Sequence, residues 1–423
     1  MFHKVGEGAS VRRLVSFGKP AAPATQRRMV YLGIDLPLVL VVITLIIIGI
    51  LMVYSASYDY SLSYFGDASY IFRRQMLWLG IGLVGLLTLA FVDYHYWLKF
   101  ALLAMGFTIS LLVVVLLINE VRNGAVRTLL GGSVQPSELA KLVSIIYLSV
   151  WLYNRKDQLS EVAFGLIPLA VMLGLLGGLI VVQPDLSAVI TICFLGGTLF
   201  FLAGADLRQI AFLAIAALVV GYFVVTLNAT GSGRVEEYLA GLKDWKSASY
   251  HVRRATEAFV KGGWFGVGIG NADTKLTGLP VPPTDSIFAV VVEETGLSGA
   301  VFLISLYLAL LWRGLTIAHR APDGLGALMA AGFSIWLAAE AFINMAVMLN
   351  LLPFAGNALP FISAGGSNLM VSLAAVGILI NISRLSVQTQ EENGRMFGAV
   401  VDLRRWDRRR RVPRSRRSSG HGV

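Results

Sequence analysis

The run GIDLPLVLVVITLIIIGILMVY, residues 33–54, carries one charged side chain, Asp35, and is otherwise almost wholly apolar. A hydrocarbon core about 30 Å thick needs about 20 such residues in a helix. One run of this kind would be an anchor, but here it recurs. Apolar segments of similar character cover approximately residues 76–92, 98–118, 138–153, 163–182, 188–204, 210–227, 286–312, 324–350 and 366–383. The expected fold is therefore an all-α polytopic membrane protein of about ten transmembrane helices. Composition agrees: the chain is 56% hydrophobic and 14% charged, with a mean hydropathy of +0.71, well outside the range of soluble domains. The single cysteine, Cys193, excludes an internal disulfide and a cysteine-held metal cluster.

An even number of spans puts both termini on one side. Residues 1–32 hold six of the 35 Lys and Arg, and residues 384–423 hold eleven, so the positive-inside rule places both ends in the cytosol. The organisation expected is a basic cytosolic segment (1–32), a ten-span membrane domain (33–384) and a disordered Arg-rich cytosolic tail (385–423). No apolar core of a signal peptide precedes the first span. The tail RRWDRRRRVPRSRRSSGHGV reads as a contact for anionic lipid, not nucleic acid.

A large external loop, residues 228–285, is expected between the seventh and eighth spans. In its GRVEEYLAGLKDW stretch, Val235, Tyr238, Leu239 and Leu242 recur at helical spacing, which predicts an amphipathic helix on the membrane surface. The glycines of KGGWFGVGIGN (261–271) ask for unusual torsions or close approach. A dinucleotide fingerprint is excluded, because no strand precedes them.

Ionisable groups in or beside spans are costly and mark candidate sites. QPSELAK (135–141) opens the fourth span, with Pro136 in the first turn and Glu138 and Lys141 spaced to pair on one face. That pair is either solvated at the interface or lines a polar cavity. In QPDLS (183–187), Asp185 is a helix cap or a site residue. Asp285 in LPVPPTDSIFAVVVEETG (279–296) raises the same choice, although Pro280, Pro282 and Pro283 hold it in a defined place. Glu293 and Glu294, inside the eighth span, are expected to face the bundle interior.

Taken in order, MVYSAS (52–57), FRRQ (72–75), NGAVR (123–127), QPSELAK, QPDLS, GGWFGVGIGN (262–271), PTDSIFAVVVEETG (283–296) and LLPFAGNALPFISAGGSNL (351–369) resemble the SEDS family of bacterial shape, elongation, division and sporulation proteins, the division branch FtsW above all. The resemblance spans roughly residues 33–384. It implies a ten-span SEDS-like fold in the bacterial cytoplasmic membrane. It also implies polymerisation of lipid II into glycan strands at the outer face, a class B penicillin-binding protein as transpeptidase partner, and further divisome or elongasome membrane proteins. By the same resemblance Asp285 matches an essential acid, and Glu138 and Lys141 match charged residues of the fourth span. Arg127, Gln135, Asp185 and the segment 360–367, with Ser363, Gly365, Gly366 and Ser367, match recurrent cavity positions. Several positions depart from the family pattern. Pro283 stands for His, Ser286 for Phe, Arg254 and Ala255 for Gln-Ser, Thr128 for Trp, and Glu340 for Gln.

In such a reaction an acceptor hydroxyl attacks the anomeric carbon of a donor whose leaving group is undecaprenyl pyrophosphate. Pyrophosphate leaves without a protonated acid beside it, so one base suffices, and Asp285 is the candidate. Arg127, Lys141, Arg253 and Arg254 are candidates to meet the pyrophosphate. A divalent cation, Mg2+ or Mn2+, held by Asp285 and the pyrophosphate oxygens is the alternative, and no dedicated metal cage is visible. Two other classes compete: a lipid II flippase or proton-coupled transporter, and a scaffold with reduced catalysis that positions a transpeptidase.

Overall fold

The structure, a computed structural model, describes residues 33–118, 134–227 and 229–407. The segment 1–32, the NGAVR motif with Arg127, and the last residues of the Arg-rich tail lie outside the described residues. Twelve α-helices are described: α1 (Leu36–Phe65), α2 (Tyr70–Phe91), α3 (Trp97–Ile118), α4 (Pro136–Asn154), α5 (Leu166–Val182), α6 (Leu186–Leu202), α7 (Leu207–Leu227), α8 (Ala229–Lys243), α9 (Tyr250–Gly262), α10 (Ile287–Arg320), α11 (Gly324–Met348) and α12 (Gly366–Asp407).

Each apolar segment expected to span falls on one of α1–α7 or α10–α12. Seven of these helices, α1, α2, α3, α7, α10, α11 and α12, are long and apolar enough to cross a membrane. Helices α5 and α6 are apolar but only 17 residues long. Helix α4 is diluted by its buried polar and charged side chains. The stretch expected to be an amphipathic surface helix is α8, whose Leu239 and Leu242 remain exposed. Helix α12 runs past residue 384 to Asp407. Residues 385–407 contain no proline and are dominated by residues of fair to good helix propensity, so nothing in them stops a running helix.

Carboxylates start several helices and then tie them to others. Asp35 Oδ1 accepts the Leu38 amide at the head of α1 (3.0 Å), and its Oδ2 meets Arg313 of α10 (2.5 Å). Asp323 caps α11 and also receives the Tyr94 hydroxyl and the His95 ring from the α2–α3 turn. Of the seven long apolar helices, α11 and α12 are the most enclosed; α7 buries only Gln209 and is peripheral. Trp336, Phe333, Tyr307 and Phe200 fill the centre, whereas exposed Leu, Ile, Val and Phe are spread over the helices around it. That apolar exterior is what a bilayer covers.

The glycine stretch explains how α9 is fastened. Helix α10 breaks at Gly296 (φ 72°, ψ −172°). The amides of Val267 and Gly268 donate to the carbonyls of Glu293 and Glu294 (3.0 and 3.1 Å), while Leu297 and Ser298 donate to Gly263 and Trp264 (2.9 and 3.1 Å). The stretch thus completes the hydrogen bonds that the break leaves open. At Gly266 (φ 78°) a Cβ would collide with the Glu294 carbonyl, so only glycine allows the approach. Glu293 and Glu294 face the interior, 0% and 1% exposed. Glu293 accepts the Asp273 and Thr274 amides (3.0 and 3.2 Å), and Glu294 pairs with Lys275 (2.9 Å) and the Ser55 hydroxyl. They anchor the loop that leads to Asp285.

Candidate functional site

The chain approaches Asp285 through a backbone fixed on every side. Val281 sits at φ 42°, costly for a β-branched residue, and its carbonyl accepts the Thr284 amide (3.2 Å). The Pro283 carbonyl accepts the Ala364 amide (2.7 Å), and the Thr284 carbonyl accepts the Ser363 hydroxyl (2.8 Å). The Asp285 carbonyl accepts Asn344 Nδ2 of α11 (3.0 Å). The proline-stiffened segment is therefore held by α11 and by the 359–364 segment at once.

Ser286 occupies the cap position of α10, and its own side chain accepts none of that helix's amides. Asp285 is half-buried, and a Cβ at Gly356 (φ 65°) would come within 3.4 Å of its Oδ2.

A belt of polar contacts follows residues 363–368 from the segment before Asp285 to α4 and α11. Ser363, besides its bond to Thr284, accepts the Leu359 amide (2.7 Å), and its carbonyl accepts Gln75 Nε2 of α2 (3.3 Å). Four residues on, Ser367 Oγ accepts the Gln135 amide (2.8 Å) at the head of α4. Gln135 Nε2 and the Ser137 hydroxyl donate to Asp185 Oδ2 (2.8 and 2.7 Å), while Asp185 Oδ1 accepts the Ala188 amide (3.3 Å). Asp185 is both a helix cap and a belt member. Next to Ser367, Asn368 Nδ2 donates to Glu138 Oε2 (3.0 Å). Glu138 pairs with Lys141 (2.8 Å), and Lys141 also pairs with Glu340 of α11 beneath the Trp336 ring. Lys141, 4% exposed, thus serves two buried carboxylates, so the reading of Glu138 and Lys141 as a solvated interface pair fails. A lysine so committed organises α4, α11 and α12; it is not a free charge. Gly365 and Gly366 shape the turn into α12, where a Cβ on Gly366 would crowd the Trp78 ring (2.6 Å).

Against Ser286, next in the chain after Asp285, stands a residue without a sequence signal. His251 of α9 lies with Nδ1 3.3 Å from Ser286 Oγ and stacks on Phe354 at 4.1 Å between centroids. The Arg234 guanidinium covers the same Phe354 ring at 5.4 Å. Burial, then Arg234, pushes the His251 ring down to about 4, so it is neutral at neutral pH.

The remaining arginines stand elsewhere. Arg254 is tied to Glu257 and to Thr277 (O 2.8 Å, Oγ1 2.6 Å). Arg253 lies against Tyr250, 5.8 Å from its ring. On α9, residues 250, 253, 254 and 257 share one face, while His251, Ala255, Ala258 and Gly262 share the face packed toward α10. The structure therefore joins Gln135, Asp185 and Ser367 in one group of hydrogen bonds and Glu138, Lys141 and Glu340 in another, ties Ser363 to the residue before Asp285, and shows neither Arg253 nor Arg254 in these groups. Sequence reasoning missed His251, Arg234, Asn344 and Asn368 as site members, and treated Glu340 only as a departure. The polar residues inside apolar spans could have been found by the rule that singled out Glu138. Among the described residues no cluster of three or more His, Cys, Asp or Glu is placed to hold a metal ion.

Residues 36–388 match the family described as Cell cycle protein, of FtsW, RodA and SpoVE. The chain is 37% identical over 355 residues to a probable peptidoglycan glycosyltransferase FtsW of Geobacter sp. (strain M18), covering 83% of this chain and 97% of that protein. It is 36% identical over 358 residues to the stage V sporulation protein E of Bacillus subtilis (strain 168), covering 83% and 97%. Among solved structures it resembles a chain of a peptidoglycan synthase complex that coordinates polymerization and crosslinking (TM-score 0.69, 27% identity, 85% of this chain and 100% of that one). It also resembles the rod shape determining protein RodA of Thermus thermophilus (TM-score 0.62, 25% identity, 84% and 98%).

Proposed function

The chain belongs to the FtsW, RodA and SpoVE family of cell cycle proteins, and from that premise we propose that it is a peptidoglycan glycosyltransferase that polymerises lipid II. The observation that carries the reading is Asp285: a half-buried carboxylate on a backbone fixed by α11 and the 359–364 segment. Asp285 takes the proton from the acceptor hydroxyl as that oxygen attacks the anomeric carbon. The carbon–oxygen bond to pyrophosphate breaks, the leaving group departs as its anion, and direct displacement inverts the centre. The belt of Gln135, Glu138, Lys141, Asp185, Ser363, Gly365, Gly366 and Ser367 forms the substrate-facing wall, and Arg127 meets the pyrophosphate. A divalent cation, if bound, would sit between Asp285 and pyrophosphate oxygens and supply charge neutralisation; one carboxylate fits such a substrate-shared ion, not a preformed cage.

In this reading both termini are cytosolic and α8, α9 and Asp285 stand at the outer face of the bacterial cytoplasmic membrane, where the amphipathic α8 lies on the bilayer. A class B penicillin-binding protein crosslinks the product, and the role is in division. The similarity to a chain of a synthase complex supports that pairing.

The test is polymerisation of labelled lipid II by purified protein, alone and with its transpeptidase, with Mg2+, Mn2+ or chelator. Asp285→Asn is expected to lower the rate by about two to four orders of magnitude, the usual worth of a general base, without loss of folded protein. Polymer at the wild-type rate from this variant would remove Asp285 from the chemistry. The buried Lys141 group is the observation that favours a transporter: labelled lipid crossing vesicles under a proton gradient, with no polymer, would establish that alternative.

A further inference from the structure

The polar face of α9 opens on a cavity of about 410 Å³ lined by Trp245, Lys246, Tyr250, Arg253, Arg254 and Glu257. Its charge is unbalanced: Lys246, Arg253 and Arg254 face one carboxylate, and Arg254 already claims that one. Arg253 has no carboxylate or hydrogen-bond partner among the described residues, its recorded contact being the Tyr250 ring. Both Arg253 and Arg254 also leave a buried Nε–H without an acceptor. An unpartnered guanidinium on the wall of a positively charged cavity calls for an acceptor from outside the chain.

The lining specifies that acceptor. Guanidinium donors take an oxyanion, carboxylate or phosphate, by two oxygens at once. Trp245 and Tyr250, each about half exposed, offer flat faces to a ring or planar amide. No aliphatic side chain lines the cavity, which a lipid headgroup trailing acyl chains would require beside it. The occupant is thus water-borne.

We propose that this cavity is an oxyanion subsite for a carboxylate of the peptide carried by the disaccharide substrate. The naming of the ligand rests on the polymerase reading. The cavity lies on the face of α9 turned away from His251, so it grips the substrate or the growing strand at a distance from the reacting centre. Binding energy from such a remote contact holds the polymer between additions.

The test is direct binding of a soluble muramyl pentapeptide with free carboxylates, and of its fully amidated counterpart, to the full-length protein in detergent by calorimetry. Wild type is expected to bind the free-carboxylate probe at least about tenfold more tightly than the amidated one, the size expected from losing one charge-assisted hydrogen bond. Arg253→Gln should lose that preference, and Lys246→Gln, on an exposed side chain that folding does not need, should weaken it. Asp285→Asn should keep it. Equal binding of the two probes, an unchanged preference in Arg253→Gln with a normal unfolding temperature, or displacement of the probe by phosphatidylglycerol micelles would each overturn the proposal. Because the measurement needs no turnover, peptide binding without polymerisation would sink the polymerase reading and leave the subsite standing, and polymerisation without carboxylate preference would do the reverse.

Discussion

Asp285 and His251 show how little a residue's type says without its neighbours. The acid was visible because proline and an apolar span flank it, whereas the histidine sits in an ordinary amphipathic stretch and acquires its place only when α9 packs on α10. Its ring, stacked on Phe354 and facing Ser286, is held neutral, with a value of about 4 against an ordinary 6.5. Between those values the unfolded chain binds the proton and the folded chain does not. This contribution to stability is therefore complete above about pH 6.5 and is lost as pH falls toward about 4. Thermal unfolding in detergent from pH 7.5 to 4.5 should show that loss, and His251→Gln should flatten it; identical slopes would rule out the ring as the cause. The buried trio makes a second prediction. Lys141→Ala leaves Glu138 and Glu340 facing each other without a counter-charge and should cost about 3–5 kcal/mol, as unpaired buried charges do. Glu340→Gln leaves the Glu138–Lys141 pair intact and should cost far less. Denaturation midpoints of the two variants decide this, and a larger loss in Glu340→Gln would refute it.

Among the elements, the pair α9–α10 depends on glycine as well as on apolar contact. The break at Gly296 frees carbonyls and amides that the 263–268 stretch satisfies, and Gly266 touches the Glu294 carbonyl with no room for a side chain. Gly266→Ala should destabilise the protein by about 1–3 kcal/mol, the cost of a forced left-handed residue, before the collision is counted. Gly85→Ala, in α2 with open space around it, should instead be neutral or add up to about 1 kcal/mol through helix propensity. Unfolding temperatures that rank the two the other way would show that the stretch can move aside. The glycines were legible as a demand for special torsions. Their partner was not, because the broken helix reads in sequence as a single long span.

For the whole molecule, orientation follows from where Lys and Arg lie, a rule of insertion that no packing contact encodes. The lone Cys193 makes this testable. In a Cys193→Ser background, Lys246→Cys should react with an impermeant maleimide on intact cells, and Lys156→Cys only after permeabilisation. The opposite pattern would invert the topology and remove Asp285 from the outer face.

The membrane fold was settled by composition and by the recurrence of apolar runs, because a bilayer demands long internally bonded helices whatever their neighbours. The sequence also marked Glu138, Lys141, Asp185 and Asp285, since charge in an apolar span is costly enough to stand out. Only the tertiary structure decided which of these meet. It joined the head of α4 to the starts of α6 and α12, gave Lys141 its second carboxylate, brought His251 beside Ser286, and gathered Arg253 and Arg254 on one cavity of α9. Such pairings join residues up to hundreds of positions apart in the chain, and they depend on helix rotation and packing, which local periodicity does not determine.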